Sequence, residues 1–329
     1  MPLLSDISVI IVNYRGWEKL AECLDALMLC GGEGERPEVI VVDNHSDDGR
    51  LEDFVRRYPQ VKFLENAENA GFARGNNRGA AVAGGKYFLF LNPDAIISRP
   101  VLESLLAEDA RHERMHLLSV RHTGPRGREE STVRIFPSAW TVNSLVRLFY
   151  LALSGKQGRM RCRGGKVVHP EWVSGSLVMM RRETFRRLKG WDEDYWLYYE
   201  DVDLCRRLHD QGGEILLLCE PPVIHHHGGT TRQDKKRVPF FKTYVLISRH
   251  IYYSKHFHGV GGVLLQLFLV TDNLFFGQFF PALLGLLLLP FHRFRRHLII
   301  YIYLIRYYSR ALLLRRWHID PGELPFGKE

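Results

Sequence analysis

Four short runs of β-branched and aromatic residues punctuate the first third of the chain: Ile7 to Asn13 (ISVIIVN), Glu38 to Asp43 (EVIVVD), Val61 to Leu64 and Tyr87 to Leu91 (YFLFL). Runs that are apolar along their whole length, without alternation, form strands buried on both faces. The segments between them have helical spacing. Trp17, Leu20, Leu24, Leu27 and Met28 recur three and four apart, and Leu51, Phe54 and Val55 begin a second helix. Strands alternating with helices at this pitch restrict the chain to a mostly parallel sheet covered by helices on both faces. Such sheets bind ligands at the carboxyl ends of their strands. Here those ends read Asn13-Tyr14, Asp43-Asn44-His45-Ser46-Asp47-Asp48-Gly49 and Asn92-Pro93-Asp94, all of them polar.

The charge is unevenly placed. Of a formal net charge of +8, residues 232 to 329 carry +10 and the rest −2, so a near-neutral body is followed by a basic, apolar tail. Val263 to Leu289 is strongly apolar, but Asp272, Asn273, Gln278 and Pro281 interrupt it. No clean uncharged run of about 18 to 20 residues remains for a transmembrane helix, and a broken run of this kind is expected to lie in the interface. Phe291 to His297, and Leu298 to Trp317 with Arg306, Arg310, Arg315 and Arg316 among Tyr, Leu and Ile, have the makeup of an amphipathic helix on anionic lipid. A helical hairpin packed as core is the alternative. Basic residues set among Leu, Ile and Phe do not make a nucleic-acid groove.

The five cysteines are odd in number and hold no CxxC pair, which points to neither a disulfide framework nor a zinc site and suits a reducing cytosol. The N-terminus has no basic region followed by a long apolar stretch, so no signal peptide is expected.

Beyond residue 110 the pattern loosens into a basic stretch, Arg121 to Arg134, and an apolar helix is expected over Val142 to Leu153. Val173 to Met180 reads as a strand, Thr184 to Leu188 and Asp203 to Gln211 as helices, and Ile215 to Leu218 and Pro222 to Ile224 as strands. Gly71, Gly75 and Gly79 share one helical face and allow close packing of backbone or ligand, but the segment is neither GxGxxG nor GxxxxGK[ST]. The loop after Asp43 reads equally as an Asx turn and helix cap. Asp94 beside Asn92, on a Pro-stiffened turn, suits a hard divalent cation that takes its other ligands from phosphate. In His225-His226-His227 successive side chains of an extended chain alternate, so at most His225 and His227 share a site. Trp191 to Leu208 (WDEDYWLYYEDVDLCRRL) crowds carboxylates against aromatics. A helix dipole accounts for one acid among Glu200, Asp201 and Asp203, not for all three.

In order and spacing, SVIIVNYRGWEKLAECLDAL, VIVVDNHSDDG, ENAGFARGNNRG, FLFLNPDA, VSGSLVMMRRETFRRLKGWDEDYWLYYEDVDLCRRLHDQGG and HHHGGTT resemble the motifs of the family 2 glycosyltransferases, within them the bacterial rhamnosyltransferase-like group. The resemblance spans about residues 6 to 232 and implies the GT-A fold, a Rossmann-like sheet flanked by helices. It implies a catalytic domain over 1–232, with a nucleotide-sugar half (1–110) and an acceptor half (111–232), followed by a helical, membrane-associating region over 233–329. It further implies an inverting transfer of a sugar, rhamnose or another deoxyhexose, from a nucleotide-diphosphate donor to a saccharide or polyprenyl-linked saccharide of the cell surface. By the resemblance Asn13, Tyr14, Asp43, Asn69, Asn77, Asn92 and Asp94 contact the donor, and Asp94 with His225 or His227 holds Mg2+ or Mn2+. Asn92 stands where the family's DxD motif has its first acid, which throws the metal onto Asp94, the diphosphate and a histidine. Asp201 matches the general base, Glu200 an acceptor ligand or charged neighbour, and Trp191, Trp196 and Tyr198 a platform for the acceptor. The expected location is cytoplasmic, on the inner face of the cell membrane. A processive synthase is disfavoured by the lack of several clear spans and of a Gln-Arg motif. A non-catalytic sugar-nucleotide binder or scaffold is disfavoured by the acids at Asp43, Asp94 and Asp201.

Overall fold

The computed structural model describes every residue except 1, 33, 131–132, 143–149, 151–152, 154–161, 163–165, 227–236, 290 and 325–329. Most of the helix expected over Val142 to Leu153, and His227, therefore lie outside the described residues.

The apolar runs become the first four strands, β1 (Ile7–Asn13), β2 (Glu38–Asp43), β3 (Lys62–Glu65) and β4 (Tyr87–Leu91), with α1 (Trp17–Met28), α2 (Leu51–Arg57) and α3 (Gly71–Val82) between them. β1 is buried along its whole length and pairs in parallel with β2 and β4, while β2 pairs in parallel with β3. The order β3-β2-β1-β4 means that the chain leaves β1 first to one side and then to the other. Sheets of this kind bind ligands outside the strand ends at such a switch, and Asn13, Asp43 and Asn92 stand at those ends.

The glycine stripe of α3 faces the sheet. A Cβ on Gly75 would lie 2.9 Å from Val12, and one on Gly79 only 2.5 Å from Ile10, so the helix sits closer than any larger residue allows.

The sheet continues through β5 (Ala95–Ile96), α4 (Arg99–Asp109), β6 (His116–Thr123), β8 (Val167–Val168), β10 (Leu177–Arg181) and β11 (Glu214–His225), reaching nine strands among the described residues. β10 runs antiparallel to β4 and β6, and β11 parallel to β6. β7 (Val133–Arg134) and β9 (Trp172–Val173) form a separate two-stranded ribbon. The strand expected over Val173 to Met180 is thus two strands in different sheets, parted at Ser174-Gly175-Ser176. The two strands expected near residues 215 and 222 are one, β11, whose register shifts between Leu218 and Val223. α5 (Arg182–Arg187) follows β10, and α6 (Glu200–Asp210) starts three residues earlier than expected, so Glu200 and Asp201 lie on its first turn.

Two compact units emerge. The first comprises Met1–Phe136, Leu151–Glu193 and Glu200–Thr230; the second comprises Pro137–Tyr150, Asp194–Tyr199 and Thr231–Glu329. The second unit therefore takes in two inner segments that a contiguous division at residue 232 assigns elsewhere. One of them is the aromatic stretch that runs directly into Glu200.

Within the second unit lie α7 (Val238–His256), α8 (Gly259–Thr271), a π-helical turn (Asp272–Gly277), α9 (Phe279–Leu287) and α10 (His292–Leu314). Tyr244, Ile247, Ile251, Tyr252 and Tyr253 of α7 and Ile300, Leu304 and Tyr307 of α10 are buried. His250 is fully buried, with Nδ1 2.6 Å from Gln266 Oε1, Nε2 2.8 Å from the Tyr308 hydroxyl and its ring stacked on Trp317. Burial pushes its pKa down to about 4. Asn273, on the π turn, donates to the same hydroxyl at 2.9 Å. The tail is thus in part a core, as a packed hairpin requires.

It is also greasy outside. Val263, Leu264, Phe276, Phe280 and Leu287 are each more than half exposed. By length and composition the run Gly259–Leu287 is apolar enough to cross a membrane, and only 22% of its most apolar window is buried. Asp272 and Asn273, read from sequence as interruptions, are absorbed in the π turn.

One expectation fails outright. Cys162 and Cys219, separated by 57 residues, are joined in a disulfide, while Cys23, Cys30 and Cys205 are free and buried. The odd count and wide spacing hid a pair that only the return of β11 beside the β8 segment brings together.

Candidate active site

The end of β1 is built for rigidity. Asn13 is fully buried, donates from Nδ2 to Asp43 Oδ1 at 3.1 Å and accepts from Gly16 N–H at 3.1 Å. Asp43 in turn accepts from the Ser46 backbone N–H at 3.0 Å and from its hydroxyl. The Asx turn read from the sequence is therefore real. Asn44, which the sequence did not single out, is the hub of this corner. Its Nδ2 donates to Asn69 Oδ1 (2.9 Å) and Gly71 O (3.1 Å), and its Oδ1 accepts from Asn66 Nδ2 (2.7 Å) and Ala70 N–H (3.1 Å). Asn13, Asp43 and Asn69 are thereby gathered at the ends of β1 and β2. Tyr14 joins them half-buried, its ring 5.4 Å from the Arg15 guanidinium.

Asn77 is not part of this group. Its amide donates to Trp191 O (2.8 Å) and Glu193 Oε1 (2.8 Å) and accepts from Trp191 N–H (2.9 Å), so it fastens the Trp191 loop to α3. Trp191 is likewise withdrawn from the acceptor platform. It is 1% exposed, and its ring packs edge-on against Phe72 and Phe90 at 5.6 and 5.1 Å. Its indole is buried between an aromatic ring of α3 and one of β4.

A second cluster forms where β4 and β11 end and β10 begins. Asn92 N–H donates to Ser176 O at 2.9 Å, which ties the Asn92-Pro93-Asp94 turn to the start of β10. Asp94 is buried, and its Oδ1 lies 3.2 Å from Nε2 of His225 at the end of β11. On the other side of the ring, Nδ1 lies 3.0 Å from Glu130 Oε2. Burial disfavours the charged imidazole, but the hydrogen bonds and charges of Asp94 and then Glu130 outweigh it and raise the His225 pKa. His122, fully buried, packs 5.4 Å from the His225 ring and approaches the Ser176 hydroxyl at 3.5 Å.

Among the described residues no three His, Cys, Asp or Glu side chains form a metal cage. Two do suit a cation completed by phosphate. Adjacent ligands of an octahedral ion bound at about 2.1 Å stand about 3 Å apart, close to the 3.2 Å between Asp94 Oδ1 and His225 Nε2. Asp94 and His225 therefore fit Mg2+ or Mn2+, whereas His227 lies outside the described residues.

The third cluster holds the acids. Asp201 Oδ2 accepts from Gly175 N–H at 3.0 Å and Oδ1 from Val202 N–H at 2.8 Å. A Cβ on Gly175 would stand 3.3 Å from the Asp201 Cβ, so the absence of a side chain there is what lets this backbone approach the carboxylate. Through Gly175 and Ser176, Asp201 is linked to Asn92 and so to the Asp94 turn. Burial raises the Asp201 pKa against the pull of these backbone donors. Burial, then the charge of Asp201, drives that of Glu200 well upward. Asp203 is committed elsewhere, to Arg207 Nε at 2.6 Å. The three acids thus have three environments, and Asp201 is the one whose carboxylate is held by two backbone N–H donors.

Trp196 and Tyr198 belong to the second unit. Trp196 packs on Phe240 (5.5 Å) and Tyr244 (5.0 Å), Ser248 donates to Leu197 O (2.8 Å), and Asp194 binds Lys255 and His318. The hydrogen bond from His318 is the first cause holding Asp194 well below the usual carboxylate range. Tyr198 and Tyr199 both have positive φ, 68° and 69°, a cost of order 1–3 kcal/mol each that neighbouring structure must overcome.

Residues 8–188 match the family model described as glycosyl transferase family 2, and residues 166–228 match one described as the N-terminal domain of galactosyltransferase. The N-acetylglucosaminyl-diphospho-decaprenol L-rhamnosyltransferase of Mycobacterium tuberculosis is 30% identical over 230 residues, covering 63% of this chain and 71% of that protein. Rhamnosyltransferase WbbL of Escherichia coli is 26% identical over 211 residues, covering 61% and 76%. Among solved structures, GalNAc-T7 with UDP, GalNAc and Mn2+ superposes with a TM-score of 0.53 at 17% identity, over 75% of this chain and 50% of that one. S. aureus TarS 1-349 superposes with a TM-score of 0.50 at 18% identity, over 93% and 91%. These two likenesses speak for the GT-A fold alone. The family match, spanning more than half of the chain, places it in glycosyl transferase family 2: the protein is a glycosyltransferase.

Proposed function

We propose that the enzyme transfers one sugar, a deoxyhexose such as rhamnose, with inversion from a nucleotide-diphosphate donor to a saccharide or polyprenyl-linked saccharide used in cell-surface polysaccharide synthesis. The observation that carries this is Asp201, a buried carboxylate aimed by two backbone donors and tied through Gly175-Ser176 to the Asp94 turn. The names of two relatives, both rhamnosyltransferases and one acting on a decaprenol-linked substrate, support the sugar and the acceptor class.

In this reading Asn13, Tyr14, Asp43 and Asn69 border the base and ribose, and Asn92 the diphosphate. Asp201 removes the proton of the acceptor hydroxyl as its oxygen bonds to the anomeric carbon from the face opposite the leaving group. The bond from that carbon to the diphosphate oxygen breaks, and the oxygen keeps the electron pair. Asp94 and His225 would hold Mg2+ or Mn2+, which when bound supplies positive charge to the departing diphosphate. Glu200, whose pKa burial and the Asp201 charge drive upward, is the acceptor ligand or charged neighbour of the base.

Thermal denaturation with a panel of nucleotide sugars, each with and without Mn2+, tests the donor assignment. A ligand at a hundred times its Kd stabilises by about 2.7 kcal/mol, so one donor, dTDP-rhamnose, is expected to raise the melting temperature only when the metal is present. A shift with a different sugar alone overturns the rhamnose assignment.

We also place the enzyme at the cytoplasmic face of an anionic membrane. Exposed Leu and Phe of α8 and α9, and exposed Arg295 and Arg306 of α10, are the apolar and basic side chains that suit a surface lying among anionic headgroups. Flotation with liposomes is expected to carry the protein upward with anionic lipid and much less with neutral lipid. Protein left at the bottom of both gradients contradicts the placement.

A further inference from the structure

We propose that Glu130 is the positioning residue that fixes His225 as a ligand of the divalent cation. The inference rests on the reading of Asp94 and His225 as the metal-holding pair, and adds to it a residue 95 positions upstream that belongs to none of the recognised motifs.

The geometry is that of an imidazole held between two carboxylates at opposite ring nitrogens. Nε2 faces Asp94 Oδ1 at 3.2 Å, and Nδ1 faces Glu130 Oε2 at 3.0 Å. An ionised carboxylate only accepts hydrogen bonds. Glu130 therefore takes the hydrogen on Nδ1, which makes Nε2, on the side of Asp94, the nitrogen that would bind a cation there. Metal-binding histidines almost always give their second N–H to such a partner, which sets tautomer, ring plane and basicity.

The local fold brings Glu130 to this position. After β6 the chain turns at Gly124, where Gly124 N–H donates to Arg128 O at 2.8 Å and Gly127 N–H donates to Gly124 O at 2.9 Å. It then returns along β6, with Thr123 bridged to Glu129 and Glu130 N–H donating to His122 O at 3.0 Å. The tight return delivers the Glu130 side chain, 9% exposed, onto the His225 ring. A Cβ added at Gly124 would stand 3.4 Å from Glu130 Oε1, so the carboxylate lies beside the face of the turn that carries no side chain. His122, on the strand that Glu130 returns along, packs against the same imidazole.

The test is Mn2+ binding to the full chain in the presence of saturating dTDP, followed by electron paramagnetic resonance, for the wild type, Asp94→Ala, His225→Ala, Glu130→Ala and Glu130→Gln. The expected result is a nitrogen coupling on the bound Mn2+ of the wild type that His225→Ala abolishes. Glu130→Ala is expected to weaken Mn2+ about 10–100-fold, with metal-free dTDP affinity unchanged. Glu130→Gln, whose amide oxygen can still accept from Nδ1, should recover much of that loss, and it carries the test if the alanine variant fails to fold. Wild-type Mn2+ affinity and nitrogen coupling in the Glu130 variants, alongside losses in Asp94→Ala and His225→Ala, overturn the role of Glu130 and leave the metal pair standing. No metal-dependent difference between wild type and Asp94→Ala overturns both.

Discussion

Asp201→Asn is expected to reduce sugar transfer by about 10²–10⁴-fold while nucleotide affinity stays close to wild type. The amide keeps the shape of the carboxylate and one of its two backbone contacts, to Gly175 or Val202, so the start of α6 is preserved and only the proton acceptor is lost. Steady-state transfer and calorimetric titration with the nucleoside diphosphate measure the two quantities separately. Equal turnover in the variant would remove Asp201 from the chemistry. The pH profile gives a second reading. Burial raises the Asp201 pKa, and the base works only when ionised. Activity must therefore fall as pH drops through that raised value, at a higher pH than an ordinary carboxylate would give. The effect on folding has the opposite sign to that of a salt-bridged acid. Asp201 and Glu200 bind their protons more tightly folded than unfolded, so their contribution to stability declines as pH rises from the ordinary carboxylate range through the raised values.

Ending the chain after His258 is expected to abolish transfer, not merely membrane binding. This cut would be a clean removal of an anchor if the tail only lay on lipid. Instead it strips Ile300, Leu304 and Tyr307 from a shared core, and takes Gln266, Tyr308 and Trp317 from around the buried His250. It also removes His318, one of the partners of Asp194, from the segment that continues into Glu200. Losing several large buried side chains at about 2–5 kcal/mol each exceeds the stability of an ordinary domain. The truncated protein should show no cooperative melting of the second unit and only background transfer. Retained transfer in a soluble, truncated protein would mean that the acceptor segment holds its shape without the helices after α7.

The parts of this molecule legible in the sequence are those fixed by local pattern. The buried strands β1, β2 and β4, the close-packed glycine face of α3 and the polar strand ends follow from periodicity and composition, and the structure places them as expected, whereas β3, expected to be buried on both faces, is an edge strand with Lys62 and Glu65 exposed. What was not legible depends on chain return. Nothing local marks Glu130, because its meaning comes from a turn after β6 and from β11 far downstream. Asn44 was in view between Asp43 and His45, but four hydrogen bonds to the Asn66 to Gly71 loop appear only once β2 and β3 are side by side. Trp191 shows the reverse error. An aromatic beside acids suggested a sugar platform, and the fold uses it as core. The disulfide and the divided second unit fail to show in sequence for the same reason, since both join segments distant along the chain.

The π turn at Asp272–Gly277 sets the rotational phase of everything after it. The inward positions of α8, Gly262, Gln266 and Leu269, continue through Asn273 and resume at Ala282 and Gly285, a spacing that needs one residue more than a regular helix supplies. Gly285 must face inward, because an added Cβ would stand 2.5 Å from Phe294 O. Deleting a single residue from that turn would twist α9 by about 100° and bring Leu284 or Leu286 against the same carbonyl. The turn thus answers for two things at once, the hydrogen bond that Asn273 gives to Tyr308 and the count of residues that keeps Gly285 facing inward.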